Sequence, residues 1–351
     1  MATSARTLLP DFRGRRVRST ATWTAACYGL GIALSGVAVV RALRPERSTV
    51  DVATTAAAPW LLAPSWLLLA GALVTSRRGL AALAASVAAL HAFCIQDRPG
   101  RTVGMGDGPD GPELRVAFAN LWCYNKHVSG VVRELAGGQH DIVAMAEVTE
   151  EHAAVIDALL PSSIYPWRRV EPDTCPGSKG LALVSRVPLS HVETWSSQGH
   201  PQFDAVVVAP SAGAFLLLLV HTWGPVGRTR VRAWHTQLAE VGARARDGAG
   251  AGAPPSRGLP VVMIGDFNAT RQHRSFDRLI EEGWSDAGTW RFGGWRGTWP
   301  ADRRWLPPLF RIDHVLAGPG IAVCSARAGN ASGSDHRPVS AVLRLPPSPG
   351  R

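Results

Sequence analysis

Eight polar residues stand where short apolar runs end. Asn120 follows LRVAFA, Glu147 follows DIVAMA and His221 follows AFLLLLV. Asp266 and Asn268 sit in VVMIGDFNAT, Asp313 follows RI, and Asp335 and His336 lie in SGSDHRPV. Carboxylates, amides and imidazoles are the side chains that bind hard cations and move protons. Each position also has an ordinary use. Glu147 precedes a helix expected after Thr149, where negative charge is favoured. His221 has a plain reading as a satisfied core histidine, and Asn120 and Asp335 suit turns and caps. Independent turns, however, have no reason to supply Asn, Glu, His, Asp-x-Asn, Asp and Asp-His in that order. Within VVMIGDFNAT, a turn explains Gly265, Asp266 and Asn268 by itself. Alternation along a strand offers a second account, sending Asp266 and Asn268 to one face of a cleft.

The elements that carry these groups are legible as apolar runs at 114–120, 141–147, 180–186, 204–210, 214–221, 259–268, 311–317 and 339–345. Several are continuous rather than alternating, as strands buried on both faces require. Helical patterns lie between some of them: VVRELAG, EEHAAVIDALL, RVRAWHTQLAEVGARA and SFDRLIEEG. This predicts an α/β domain with central stacked sheets and outer helices. The stretch RARDGAGAGAPPSRG reads as a loop, and no repeat of fixed period is present.

The N-terminal part differs in kind. No charge occurs from Ser19 to Val40, from Val52 to Ser76, or from Gly79 to Gln96, windows of 22, 25 and 18 residues. A spanning helix needs about 20 mostly apolar residues, which predicts three transmembrane helices, about 20–40, 54–76 and 79–96. The third is short, and a buried soluble helix is its alternative. A cleaved signal peptide fits poorly, because no small-residue cleavage site precedes RALRPER and two apolar segments follow. Arg6, Arg13, Arg15, Arg16 and Arg18 precede the first window, and Arg77 and Arg78 separate the second from the third. Positive charge stays on the cytoplasmic side. The N-terminus is therefore expected inside, and the loop 41–51 and everything after Gln96 outside, in a multi-pass protein of the cell membrane. The Gly- and Pro-rich stretch 98–112 is a linker reaching at most about 50 Å, and 113–351 is expected to form the domain that carries the candidate catalytic residues.

Net charge is +10, but residues 1–96 hold 10 Arg against 3 acidic groups, leaving +3 for the remainder. Most of the excess is thus a topology signal, and the outer part lacks the basic footprint of a dedicated nucleic-acid binder. Of five cysteines, Cys27 and Cys94 lie in apolar windows. Cys123, Cys175 and Cys324 match no zinc spacing, and leave room for one bridge at most.

The motifs FAN, MAEV, KGLALVSR, LVHTW, IGDFNAT, RIDHVLA and GSDHRPV, between Glu113 and Leu345, resemble those of the endonuclease/exonuclease/phosphatase superfamily. That fold is shared by pancreatic deoxyribonuclease, abasic-site endonucleases, inositol polyphosphate 5-phosphatases and neutral sphingomyelinases. The resemblance implies a four-layer α/β/β/α sandwich with its site where strand ends of both sheets meet. It implies metal ligation by Glu147, with Asn120 and Asp335 beside it, the ion being Mg²⁺ with Mn²⁺ as the alternative. Asp266 and Asn268 resemble the pair that orients and deprotonates the attacking water, which implies that GDFN is a site strand and not merely a turn. Asp313 resembles the carboxylate that fixes His336, and His336 and His221 would donate to phosphoryl oxygens.

The membrane segment narrows the substrate. Three N-terminal spans, a short tether and an outward domain of this superfamily resemble the teicoplanin-resistance membrane phosphatases of actinomycetes, understood to act on undecaprenyl pyrophosphate. Between Gly283 and His314 stand Trp284, Trp290, Trp295, Trp299 and Trp305, interleaved with Arg291, Arg296, Arg303 and Arg304. Interfacial Trp with phosphate-seeking Arg suits a lipid-linked phosphate ester in the bilayer. This makes Trp295, Trp299 and Arg296 candidates for substrate binding, with packing of these Trp as the plain alternative. Nucleic acid is the second choice of partner, as for a surface-tethered endonuclease or exonuclease, and a sphingomyelinase-like phospholipase stays open. No protein partner is implied.

Overall fold

The run AFLLLLV is unbroken because both faces of its strand are covered. In a computed structural model, which describes residues 12–43, 45–95, 111–175, 179–209, 213–248, 258–281, 284–288 and 297–347, Phe215, Leu217 and Leu219 of this strand enter one core. Leu216, Leu218 and Val220 enter another. Side chains of a strand alternate between faces, so two buried faces need apolar residues at every position.

That strand is β7 (Gly213–His221). It lies in a six-stranded sheet with β5 (Leu189–Ser197), β6 (His200–Ala209), β8 (Val261–Asp266), β9 (Ser285–Asp286) and β10 (Asp313–Ala317), in the order β5-β6-β7-β8-β10-β9. A second sheet holds β1 (Glu113–Asn120), β2 (Ile142–Ala146), β3 (Trp167–Glu171), β4 (Leu181–Ser185), β11 (Ala322–Ala328) and β12 (Val339–Arg344), in the order β11-β12-β1-β2-β4-β3. The sheets face each other across a core that includes Val116, Phe118, Leu183, Leu217, Ile264 and Val315. Helices α5 (Val128–Gly137) and α6 (Glu150–Leu159) cover the outer face of the β1 sheet through Val131, Val132, Leu135 and Ile156. Helices α7 (Arg228–Asp247) and α8 (Arg274–Glu281) cover the other through Val231, Trp234, Leu238, Phe276 and Leu279. This is the four-layer α/β/β/α sandwich.

The apolar runs all form strands, and the four helical patterns all form helices. The edge strands β3, β5, β9 and β11 are additional. Residues along β5 are largely exposed, so no apolar run marks it.

By contact the chain divides into two units. The first contains α1 (Phe12–Leu43), the end of α2 (Thr49–Leu62) from Ala57 onward, α3 (Pro64–Val74) and α4 (Arg78–Ile95). Three stretches, Thr22–Leu43, Thr49–Val74 and Arg78–Ile95, are long and apolar enough to cross a membrane. They bury at most 33% of their apolar windows and leave Trp23, Leu67, Leu73 and Val74 largely exposed. His91 is reconciled with an apolar helix by two partners: its Nδ1 accepts from Trp66 Nε1 at 2.8 Å and its Nε2 donates to the Pro59 carbonyl at 2.8 Å.

The second unit is the sandwich together with Glu46–Ala56. Val52 joins the core under α7 and α8, and its carbonyl accepts from His273 Nε2 at 3.1 Å. The Gly227 N–H donates to Thr49 Oγ1 at 2.7 Å, and His235 Nε2 donates to the Glu46 carbonyl at 2.7 Å. All five cysteines are free thiols.

Candidate functional site

Three adjacent strands of one sheet set His221, Asp266 and Asp313 in a row, since β7 pairs His221 with Asp266 and β10 pairs Asp313 with Asp266. The close fit of β7 on β8 depends on Gly265, where a Cβ would fall 1.8 Å from the Val220 carbonyl oxygen. In the facing sheet Asn120 pairs with Ala146, so Glu147 projects one residue past the strand end. The loop before β12 brings Asp335 and His336 to the same place. It is pinned by Ser334 Oγ, which donates to the Asn120 carbonyl at 2.8 Å and accepts the His336 N–H at 3.0 Å.

The side chains then interlock. Asn120 Nδ2 donates to Glu147 Oε1 at 3.0 Å and to Asp266 Oδ2 at 3.1 Å, while its Oδ1 accepts the Trp122 N–H at 3.0 Å. Glu147 Oε2 accepts the Cys123 N–H at 3.1 Å. His221 Nε2 lies 3.9 Å from Glu147 Oε1 and 4.0 Å from Asp266 Oδ2. His336 Nδ1 is 3.0 and 2.9 Å from the two oxygens of Asp313, and its Nε2 is 3.9 Å from both Asp266 Oδ2 and Asp335 Oδ1. All eight expected residues therefore meet at one end of the sandwich.

Convergence of Asp266 and Asn268 has a different origin from strand alternation. Strand β8 stops at Asp266. Asn268 turns back at φ +47°, its N–H donating to Asp266 Oδ1 at 2.8 Å and its Nδ2 to the Thr222 carbonyl at 3.0 Å. The aspartate accepts from the backbone two residues on, which is the Asx turn. The turn is thus the device that makes the pair. Glu147 also holds a left-handed backbone, φ +56°. Such a conformation costs a non-glycine residue about 1–3 kcal/mol and persists where surroundings enforce it.

Burial sets the charges. It pushes the Asp266 carboxyl up, Asp313 adds to the rise, and His336 with the Asn268 N–H opposes it. Burial alone would lower His336, but the Asp313 carboxylate, with Asp266 behind it, carries the imidazole up to about 10. Burial and the charge of His336 push His221 down to about 3, so this ring is neutral. Asp335 is raised by burial, with His336 opposing and Glu147 contributing.

The donor set suits a hard divalent cation. Asp335 Oδ1 is buried without a hydrogen-bond partner, next to Glu147, whose charge it feels. Oxygen-rich, partly open sites of this kind suit Mg²⁺ or Mn²⁺. Asp266, Asp313 and His336 also lie with ligand atoms within 4.8 Å of one another, a buried cluster able to bind a metal. In that cluster Nδ1 of His336 is already committed to Asp313. Asn120, expected beside the metal, turns its amide nitrogen rather than its oxygen to Glu147 and Asp266, and its Oδ1 takes the Trp122 N–H.

Trp299 stands at the rim, 36% exposed, with Nε1 donating to Asp335 Oδ2 at 3.2 Å. Trp305 is exposed, whereas Trp284 is packed in the core. Trp290, Trp295, Arg291 and Arg296 lie outside the described residues. Supporting groups not foreseen from sequence surround the row. Thr298 Oγ1 accepts the N–H groups of Ile312 and Asp313 at 3.1 and 3.3 Å. Gln202 exchanges both its amide groups with the backbone of His221, at 2.6 and 2.8 Å. Arg311 Nη1 donates to both oxygens of buried Asp286 at 2.7 Å, and His314 ties Asp286 to the Ala269 carbonyl at 3.2 and 2.9 Å. Arg311 and His314 flank Asp313 in RIDH and were within reach of a motif reading. Asp286 and Gln202 had no signal, because their partners are distant in sequence.

Residues 117–336 match the Endonuclease/Exonuclease/phosphatase family. Similar solved structures include an endonuclease/exonuclease/phosphatase family protein from Bacteroides thetaiotaomicron, 18% identical, TM-score 0.54, covering 68% of this chain and 97% of that one. The mannosyl-6-phosphatase of the same organism is 18% identical, TM-score 0.51, over 66% of this chain and 100% of that one. TDP2 of D. rerio, complexed with a single-strand DNA product, is 16% identical, TM-score 0.52, over 66% and 99%. At these identities the likeness is one of fold. No curated protein matches the chain.

Proposed function

The chain belongs to the endonuclease/exonuclease/phosphatase family, a family of phosphoesterase hydrolases, and on that premise we propose that it is a membrane-anchored, divalent-metal-dependent hydrolase of a lipid pyrophosphate of the undecaprenyl type. The observation that carries the hydrolase reading is the meeting of Glu147 and Asp335 from one sheet with the His221–Asp266–Asp313 row of the other. Glu147 and Asp335 would hold Mg²⁺ or Mn²⁺, with Asn120 positioning Glu147 through its amide nitrogen. When bound, the ion supplies neutralisation of phosphoryl charge.

The protein's own groups supply the rest. Asp266 Oδ2 faces both imidazoles, and the upward-shifted carboxyl is suited to take a proton from an attacking water. Asn268 orients that water from a side chain fixed on Thr222. His336, charged and held at Nδ1 by Asp313, keeps its Nε2–H for a phosphoryl oxygen. The gaps of 3.9 and 4.0 Å from both imidazole Nε2 atoms to the carboxylates are wider than hydrogen bonds, leaving these nitrogens for substrate.

The lipid reading draws on three apolar helices that can cross a membrane, on the short linker that follows them, and on the exposed Trp299 at the rim. Packing of Glu46–Ala56 into the catalytic unit supports placing the first loop and the catalytic part on one side of the bilayer. The Arg distribution makes that side the extracytoplasmic one. A surface nuclease would use the same residues. Full-length protein in detergent with Mg²⁺, given undecaprenyl pyrophosphate, plasmid DNA and sphingomyelin in parallel, separates the readings. Phosphate release from the lipid pyrophosphate is the expected result. Nicking of DNA or cleavage of sphingomyelin without that release replaces the lipid pyrophosphate with the substrate cut.

A further inference from the structure

Two cations and an indole stand beside the catalytic row without a task in it. Lys179 Nζ lies 5.4 Å from the centroid of the Trp223 ring, and the Arg230 guanidinium carbon lies 4.9 Å from it. Among the described residues neither cation forms an ion pair with a carboxylate. No acidic residue occupies the first turn of α7 to neutralise Arg230.

Their position is fixed from both sheets. The Trp223 ring meets His200 edge-on at 4.8 Å, and His200 meets His221 edge-on at 4.6 Å. Gly224, the next residue, is close enough to the site that a Cβ there would lie 3.6 Å from Asn268 Oδ1. From the facing sheet, the Val148 N–H donates to the Gly180 carbonyl at 3.0 Å, which seats Lys179 near Glu147. The cluster therefore borders the site between Glu147 and Asn268. A cation stacked on an aromatic face keeps its N–H donors free at the ring edge, and guanidinium and ammonium groups pair strongly with phosphate oxygens.

We propose that Lys179 and Arg230, held against Trp223, form a second anion subsite that takes the phosphoryl group of a pyrophosphate not under attack. It rests on the hydrolase reading for its place in catalysis, but binding can be measured without turnover. A substrate with one phosphoryl group gives these cations nothing to neutralise. A pyrophosphate, with one group at His221 and His336, carries the second toward the rim.

The test is isothermal titration of the full-length protein in detergent with imidodiphosphate and with inorganic phosphate, in EDTA so that neither turnover nor metal contributes. Wild type is expected to prefer imidodiphosphate by about tenfold or more, K179A/R230A to lose most of that preference, and K179R/R230K to retain it. An unchanged preference in K179A/R230A, no preference in wild type, or loss in K179R/R230K equal to that in the alanine variant overturns the subsite. So does equally tight binding of a short oligodeoxynucleotide. A protein that keeps the preference yet hydrolyses no phosphoester retains the subsite and removes the hydrolase reading.

Discussion

His336 presents Nδ1 to both carboxylate oxygens of Asp313, at 3.0 and 2.9 Å, and turns Nε2 toward Asp266 and Asp335 at 3.9 Å. One ring nitrogen is thus anchored and the other left available. Asp313→Asn keeps the shape but removes the charge that holds the imidazolium. Turnover should fall by about 10³–10⁴-fold, the scale of losing an orienting carboxylate behind a catalytic histidine. Circular dichroism should be unchanged. Activity within about tenfold of wild type would remove His336 from transition-state stabilisation.

Metal dependence has two separate readouts. EDTA should abolish phosphoester hydrolysis, and Mg²⁺ or Mn²⁺ should restore it. Glu147→Ala should be inactive under both conditions while remaining folded, and Asp266→Ala should likewise be inactive. Full activity in either folded variant contradicts the role given to that carboxylate.

The buried Asp286 cluster sets an acid limit on stability. Burial raises its carboxyl, but Arg311, then His314, hold it well below the usual carboxylate range. A carboxylate whose folded-state pKa is depressed contributes stability that is present above its unfolded value, about 4, and is lost as pH falls toward the folded value. The unfolding free energy of the catalytic unit should decline below about pH 4. Asp286→Ala strands Arg311 and should cost about 3–5 kcal/mol at neutral pH. Chemical denaturation across pH checks both, and a variant as stable as wild type would show that the ion pair is dispensable.

Topology can be read from reporters. A reporter active only outside the cytoplasm should work when fused after Arg351. If a cytoplasmic reporter alone is active there, the segment Arg78–Ile95 does not span, and the lipid pyrophosphate loses its access argument.

Sequence alone determined a great deal here, and for a physical reason. Central strands are covered on both faces, so β1, β2, β4, β6, β7, β8, β10 and β12 had to be written as apolar runs, and polar residues at the ends of such runs stood out. Edge strands β3, β5, β9 and β11 escape notice, because a strand with an exposed face can be polar. The candidate site residues likewise stood out, since eight polar residues fell at strand ends and in one adjoining loop in a single order. Only the tertiary structure decided how they meet. Asp266 and Asn268 converge through an Asx turn at φ +47°, where strand alternation gave the right neighbours by the wrong geometry. Asp286 finds Arg311 across 25 positions, and Gln202 finds His221 across a sheet. Such partners satisfy buried charge and buried backbone, needs that arise only when the chain is packed and leave no pattern along it.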